Sequence, residues 1–191
     1  MVRDMISNDV SNLTGMILVS TPMIPIKYLK KTMIYICKHD TEGTVGVIVN
    51  KPIPGMQAHS ILKKLHIDTS NISNVNIHYG GAEEIDQCFM LHSDDFMLRG
   101  SVVINNHIAL TINGDLIKSL SLRTGATHKL ICMGCCLWEP YQLEDEISAN
   151  YWVPIPQDNA LLFGSDKTMW ESALLKIGGH TNVFAGSSGN A

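Results

Sequence analysis

The stretch Lys129-Leu-Ile-Cys-Met133-Gly134-Cys-Cys-Leu-Trp138-Glu-Pro-Tyr-Gln142-Leu-Glu-Asp-Glu146-Ile-Ser-Ala-Asn150-Tyr-Trp152 decides what kind of fold this chain adopts. Residues Lys129 to Met133 form a short apolar run, the pattern of a buried strand. Gly134 reads as the turn that ends it, and a helix over 139–149 follows. Pro140 suits a first helical turn, where a missing N–H costs no intrahelical bond, and Glu139 suits the positive end of the dipole. Leu143, Ile147 and Tyr151 recur at helical spacing, as do Trp138, Tyr141 and Asp145. Leu143 and Ile147 are therefore expected in the core, with Glu144 and Glu146 pointing elsewhere. Two apart on a helix, those carboxylates do not face one another, which argues against an acid–base pair. Trp138 and Trp152 read as core side chains. Asn150 is a stop signal. A strand–glycine–helix connection can offer N–H groups to an anion, but is more commonly just a tight connection.

Outward from this stretch, hairpin signals dominate. Strands are expected at Gly15–Ser20, Thr32–Cys37 and Val45–Asn50, with Asp40-Thr-Glu-Gly43 joining the last two and Lys51-Pro52 closing. Pro25 to Lys31 reads as a short helix or loop. A helix over Gln57–Leu65 carries Ile61, Leu62 and Leu65 as its apolar stripe. Strands at Val75–Tyr79 and Gln87–His92 flank Gly80-Gly81. Those at Ser101–Ile104 and His107–Ile112 flank Asn105-Asn106, a pair suited to a tight turn. Helices are expected over 114–122 and Lys167–Ile177, the latter stopped by Gly178-Gly179. Pro154 and Pro156 point to an edge strand. Hairpins mixed with scattered helices argue for an α+β fold.

Composition sets the outer bounds. At 191 residues, 45% apolar and 17% charged, the chain reads as one globular domain. No apolar run approaches the ~20 residues of a membrane span, and the first ten residues lack a secretory apolar core. The expectation is a soluble cytoplasmic protein with no membrane partner. Net charge is −4, from 14 Lys+Arg against 18 Asp+Glu. Neutralising phosphates requires a concentrated basic face, so direct nucleic-acid binding is disfavoured. The basic spots at Lys27, Lys30, Lys31 and Lys38, and at Lys63-Lys64, read as solvated surface.

The five cysteines, Cys37, Cys88, Cys132, Cys135 and Cys136, read as free thiols. Cys132-x-x-Cys135 has no second ligand pair, so no metal site and no cofactor are assigned. Alternation places Cys37 and His39 on one face of a strand. Cys135, close to the expected helix N-terminus, is the reactive-thiol candidate, because such a position lowers a thiol pKa.

Four blocks resemble the YqgE/AlgH family of bacterial proteins. They are Tyr35-Ile-Cys-Lys-His39; Gly43-Thr-Val-Gly-Val-Ile-Val-Asn-Lys-Pro52; Tyr79-Gly-Gly81 through Phe89-Met-Leu-His92; and Gly134 through Trp138-x-x-x-Gln142-Leu-Glu-x-Glu146 to Trp152. A weaker fifth is the tail, with Leu161-Leu-Phe163, Trp170 and Gly189-Asn190-Ala191. Departures from the family pattern fall at Lys38, Ala82, Tyr141 and the Cys135-Cys136-Leu137 run. The resemblance implies a single compact domain over 1–191, with 1–12 a loose extension. Its fold would be a bifurcated, mostly antiparallel sheet containing a small barrel, surrounded by helices. The family is described as uncharacterised or as candidate regulators of transcription, and no agreed catalytic residues come with it.

Within those blocks the ligand-binding candidates are His39, Asn50, Gly80, Gly81, His92, Trp138, Gln142 and Glu144. They supply titratable groups, a stacking surface, amides and a flexible turn for a small polar or anionic ligand. No Gly-x-Ser-x-Gly, P-loop or dinucleotide fingerprint is present, and His59, His66, His78, His107, His128 and His180 show no metal spacing. Two functions follow. One is a non-enzymatic protein that binds an unknown protein or small molecule and acts on transcription only indirectly. The other is a small hydrolase using Cys135, His39 or His92, and Glu144. The sequence assigns no oligomeric state.

Overall fold

One strand of ten residues, Lys129–Trp138, carries the architecture. The structure is a computed structural model that describes residues 12–58, 63, 76–105, 107–112, 125–164 and 166–178. In chain order the strands are β1 (Ile17–Ser20), β2 (Met33–Asp40), β3 (Gly43–Ile48), β4 (Pro52–Gln57), β5 (Asn76–Tyr79), β6 (Glu83–Ser93), β7 (Val102–Asn105), β8 (Ile108–Ile112), β9 (Lys129–Trp138) and β10 (Trp152–Ile155). The helices are α1 (Gln142–Ser148), α2 (Asn159–Leu162) and α3 (Asp166–Gly178), and Lys27–Leu29 makes one 3-10 turn. The sheet runs β10-β1-β2-β3-β9-β6-β8-β7, with a β4–β5 branch attached through β5 to β9. Every pairing is antiparallel except β5 with β9. The fold is α+β. The expected helices over 57–65 and 114–122, the 1–11 segment and the tail beyond 178 lie outside the described residues. Gln57, Ala58 and Lys63 are the exceptions: Gln57 ends β4 rather than opening a helix, while Ala58 and Lys63 are helical.

The reading of Gly134 as a turn is corrected. Gly134 lies inside β9 at φ 75, and the strand continues to Trp138. Left-handed backbone at the glycine reverses the side-chain alternation, and across it the pairing with β6 jumps from Cys88↔Met133 to Glu83↔Cys135. Before it, Leu130 and Cys132 enter one core and Ile131 another; after it, Cys135 joins the first core and Trp138 a third. The sheet also divides here. Ile131 to Met133 pair with β5, whereas Cys136 to Trp138 pair with β3. The sequence cue misleads because glycine in a bulge and glycine in a turn need the same φ.

A second bulge, at Cys37, corrects the shared face assigned to Cys37 and His39. Pairing of β2 with β3 steps from Ile36↔Gly46 to Lys38↔Val45. Cys37 stays with Met33 and Tyr35 in the main core, while His39 pairs with Thr44, which in turn pairs with Trp138 on the opposite face. The β2–β3 hairpin forms as expected, with Asp40 opposite Gly43 at φ 131.

The sheet curls so that its two wings share a core. Ile17, Tyr35 and Val47 from one wing meet Phe89, Leu91 and Ile108 from the other, with Met169, Ala173 and Ile177 of α3 against them. Asn105 at the far edge reaches the Tyr35 hydroxyl at 3.2 Å and Gln157, just past β10, at 3.5 Å. The edge placement of Pro154 holds, since among the described residues β10 pairs only with β1. On the convex face α1 packs Leu143 among Ile34, Ile36, Trp138 and Trp152. Full burial of that leucine contributes about 2 kcal/mol, and truncation to alanine costs about 2–5 kcal/mol.

Candidate functional site

The end of β9 and the start of α1 hold most of the polar candidates. The connecting loop, Glu139-Pro-Tyr141, places Tyr141 at φ 64, so the helix begins at Gln142 rather than at 139. Gln142 Oε1 accepts the Glu139 N–H at 3.0 Å, which ties the connecting loop to the first residue of the helix. Gln142 Nε2 donates to Glu146 Oε1 at 3.1 Å. The other Glu146 oxygen accepts both indole N–H groups, from Trp138 at 3.1 Å and Trp152 at 2.7 Å. The two indoles meet edge to face, with centroids 6.4 Å apart and planes at 82°. Glu146, expected to point elsewhere, is thus the hub of the block. A buried indole N–H needs an acceptor, and that requirement, with two tryptophans flanking an acidic helix, was the available signal.

Glu144, two residues earlier, turns toward β2. Its Oε1 lies 3.7 Å from His39 Nε2, too long for a hydrogen bond. His39 Nδ1 is 2.7 Å from Thr44 Oγ1, and its backbone N–H donates to Thr14 Oγ1 at 3.0 Å. The imidazole is 2% exposed, and Nε2 has no hydrogen-bond partner among the described residues. A cleft of about 250 Å³ opens beside it, lined by Asn12, His39, Asp40, Thr41, Tyr141 and Glu144.

The other candidates lie apart from these. Asn50 is buried, accepting from Met33 N–H at 2.8 Å and donating to the Lys31 carbonyl at 2.9 Å; it fixes the start of β2. His92 is fully buried, with Nδ1 3.0 Å from the Ser93 carbonyl and Nε2 3.0 Å from Thr111 Oγ1, which meets Ser101 Oγ at 2.7 Å. Gly80 and Gly81 approach the chain's own backbone. A Cβ on Gly80 would stand 2.2 Å from the Gly134 carbonyl oxygen, and one on Gly81 would stand 2.0 Å from that of Cys135. The glycines let the three segments close at the point where the sheet divides.

The position expected for Cys135, beside a helix N-terminus, is corrected. Cys135 lies within β9, 2% exposed, rather than at a helix N-terminus. Burial, then the charges of Glu84 and Glu83, push its pKa up to about 11. Burial likewise holds Cys88 at about 11 and Cys136 at about 12, and raises Cys37 further. No disulfide joins the described cysteines, and among the described residues no three His, Cys, Asp or Glu side chains are placed to hold a metal ion.

A second cleft, of about 460 Å³, adjoins the loop on its other side and is lined in part by Lys38, Glu42, Glu83, Leu137, Glu139 and Gln142. The two clefts together carry Asp40, Glu42, Glu83, Glu139 and Glu144 against a single lysine, Lys38. That lysine is engaged by Asp40 at 2.9 Å and Glu42 at 3.2 Å. The face is therefore acidic.

A family model described as AlgH-like matches residues 17–182. A UPF0301 protein of Afipia carboxidovorans is 31% identical over 195 residues, covering 97% of this chain and 93% of that protein. Another, from Rhodopseudomonas palustris, is 31% identical over 189 residues, covering 94% and 89%. Among solved structures, the AlgH protein from Pseudomonas aeruginosa superposes with a TM-score of 0.75 at 24% identity, covering 97% of this chain and 99% of that one. A Corynebacterium diphtheriae protein gives 0.67 at 16% identity, with 85% of each chain covered. Both structural likenesses speak to the fold. No helix among the described residues is long and apolar enough to cross a membrane.

Proposed function

Since the chain belongs to the AlgH-like family, whose members are uncharacterised, we propose from its own geometry that it is a non-enzymatic cytoplasmic protein that acts by binding a partner. One observation carries this reading: the groups a hydrolase would need lie on different faces of the sheet. Cys135 faces the main core, while His39 and Glu144 lie on the side of Trp138 and α1. His92 shares the Met90 side of β6, with both ring nitrogens bonded. A nucleophile needs its base within hydrogen-bond reach, and a protonated buried thiol is a poor nucleophile.

The acidic face around the β2–β3 hairpin and the loop before α1 is the surface offered. Its carboxylates repel phosphate, so any effect on transcription passes through the partner rather than through DNA. They favour a partner with a basic surface and speed its encounter. The test compares the full chain with a Glu42→Lys/Glu139→Lys variant, both carboxylates being exposed. A panel of basic and acidic peptides is titrated while ester and amide substrates are assayed for turnover. Saturable binding of basic peptides, lost in the variant and without turnover, is expected. Turnover abolished by Cys135→Ala, or binding indifferent to charge reversal, overturns the reading.

A further inference from the structure

We propose that the cleft between the β2–β3 hairpin and the first turn of α1 is a receptor for a protonated amine, with Glu144 and the buried Nε2 of His39 as its acceptors. This rests on the binding reading above and names the chemistry that one part of that face would take.

The argument begins with an unmet hydrogen bond. A buried imidazole nitrogen is ordinarily paired, yet His39 Nε2 has no partner among the described residues. Its neighbour Nδ1 is held by Thr44 at 2.7 Å. When Nδ1–H donates to that hydroxyl, Nε2 presents a lone pair toward Glu144 Oε1 at 3.7 Å. Two acceptors at that separation leave a place for one donor between them, about 2.8–3.0 Å from each. An ammonium, with three N–H donors, can serve both acceptors and still has one to spare for the cleft that His39 and Glu144 line.

Charge narrows the choice. Asp40 and Glu144 both line the cleft. Hydrogen bonds from Lys38 and from the Glu42 N–H hold the Asp40 carboxyl below its usual range, so it stays ionised. Lys38, the nearby cation, is occupied by Asp40 and Glu42, and among the described residues Glu144 has no lysine or arginine partner. An anionic ligand would meet both carboxylates. Tyr141, 62% exposed at the mouth, adds an aromatic face that attracts a cation. The volume, about 250 Å³, accommodates an alkylammonium or the end of a lysine side chain.

The test uses the full 15N-labelled chain and reads the His39 ring nitrogens by long-range 1H–15N correlation. The probes are n-butylammonium and its anionic counterpart butyrate. Expected is a saturable shift of His39 Nε2 with n-butylammonium, none with butyrate, and affinity about tenfold weaker in Glu144→Gln. Among the described residues the Glu144 carboxylate approaches only His39, so Glu144→Gln keeps the fold, which its unfolding curve checks. A missing response to n-butylammonium, an equal response to butyrate, or unchanged affinity in Glu144→Gln overturns the proposal. A capped Gly-Lys-Gly peptide, and the same peptide with an acetylated lysine, separate the sources. Tighter binding of the unmodified peptide than of n-butylammonium assigns the site to a partner's lysine, and weaker binding assigns it to a free amine. If amines fail while Glu42→Lys/Glu139→Lys still abolishes peptide binding, only this inference falls. If Glu144-dependent amine binding holds while the charge-reversed face binds peptides normally, the broader surface reading falls instead.

Discussion

Glu146 and Glu144 stand two residues apart on one short helix and meet opposite circumstances. Glu146 receives three N–H donors, two of them from buried indoles, and joins β9, α1 and β10. Glu144 receives none from the described residues, although a buried imidazole nitrogen faces it at 3.7 Å. A carboxylate with its acceptors filled specifies structure. One that stops short of an equally unfilled neighbour leaves room for something the chain does not supply. The resemblance blocks contain both, so membership of a motif does not separate scaffold from site; the hydrogen-bond inventory does.

The largest effect that can break this contrast is on stability. Glu146→Ala leaves the Trp138 and Trp152 donors without their acceptor in a largely apolar cluster, and should cost about 2–4 kcal/mol by urea unfolding. Glu146→Gln keeps one acceptor oxygen and should fall between. A loss below about 1 kcal/mol for the alanine variant would mean that the clasp is incidental.

The thiol across the sheet sharpens the contrast from the other side, because it is silent by burial rather than by pairing. With its pKa near 11 rather than 9.0, Cys135 holds about one-hundredth of the usual thiolate at pH 8. Alkylation by iodoacetamide, followed by mass spectrometry, should therefore be at least about a hundredfold slower at Cys135 than in an unfolded control. The sign of the linked stability effect follows. The folded chain keeps this proton while the unfolded chain begins to release it near pH 9, so the contribution is intact below that pH. It is lost as pH climbs toward about 11. Cys135→Ala should flatten the alkaline decline by up to about 1 kcal/mol per pH unit.

How much of this was legible in the sequence depends on the range of the interaction that decides each feature. The β2–β3 hairpin, the edge character of Pro154 and the core roles of Leu143 and Trp152 follow from local periodicity and turn chemistry. Gly134 did not, because the requirement for positive φ is shared by a turn and a bulge. Only the approach of Gly80 and Gly81 distinguishes them. The Cys37 bulge was equally hidden, and with it the separation of Cys37 from His39. Among the candidates, His39 and Glu144 lie beside one cleft, Trp138 and Gln142 meet through Glu146, which the spacing set aside, and Asn50 and His92 bond the backbone and the β6–β8 pair. Pairings between residues far apart in sequence carry no periodic trace.

The smallest effect is the most discriminating. Double-mutant cycles measure the coupling of each glutamate to its aromatic neighbour directly. The cycle of Glu146→Gln with Trp152→Phe should return about 1–3 kcal/mol, because a charge-assisted bond of 2.7 Å from a buried indole to a part-buried carboxylate is removed. The cycle of Glu144→Gln with His39→Asn should return less than about 0.5 kcal/mol. At 3.7 Å no hydrogen bond exists, and the 30% exposed carboxylate is screened by solvent. If an alkylammonium bridges the two groups, repeating the second cycle at saturating n-butylammonium should raise its coupling toward the first, since the bridge vanishes when either acceptor is removed. A coupling already large without amine would place a direct His39–Glu144 bond where the structure has a gap, and would return Glu144 to the same class as Glu146.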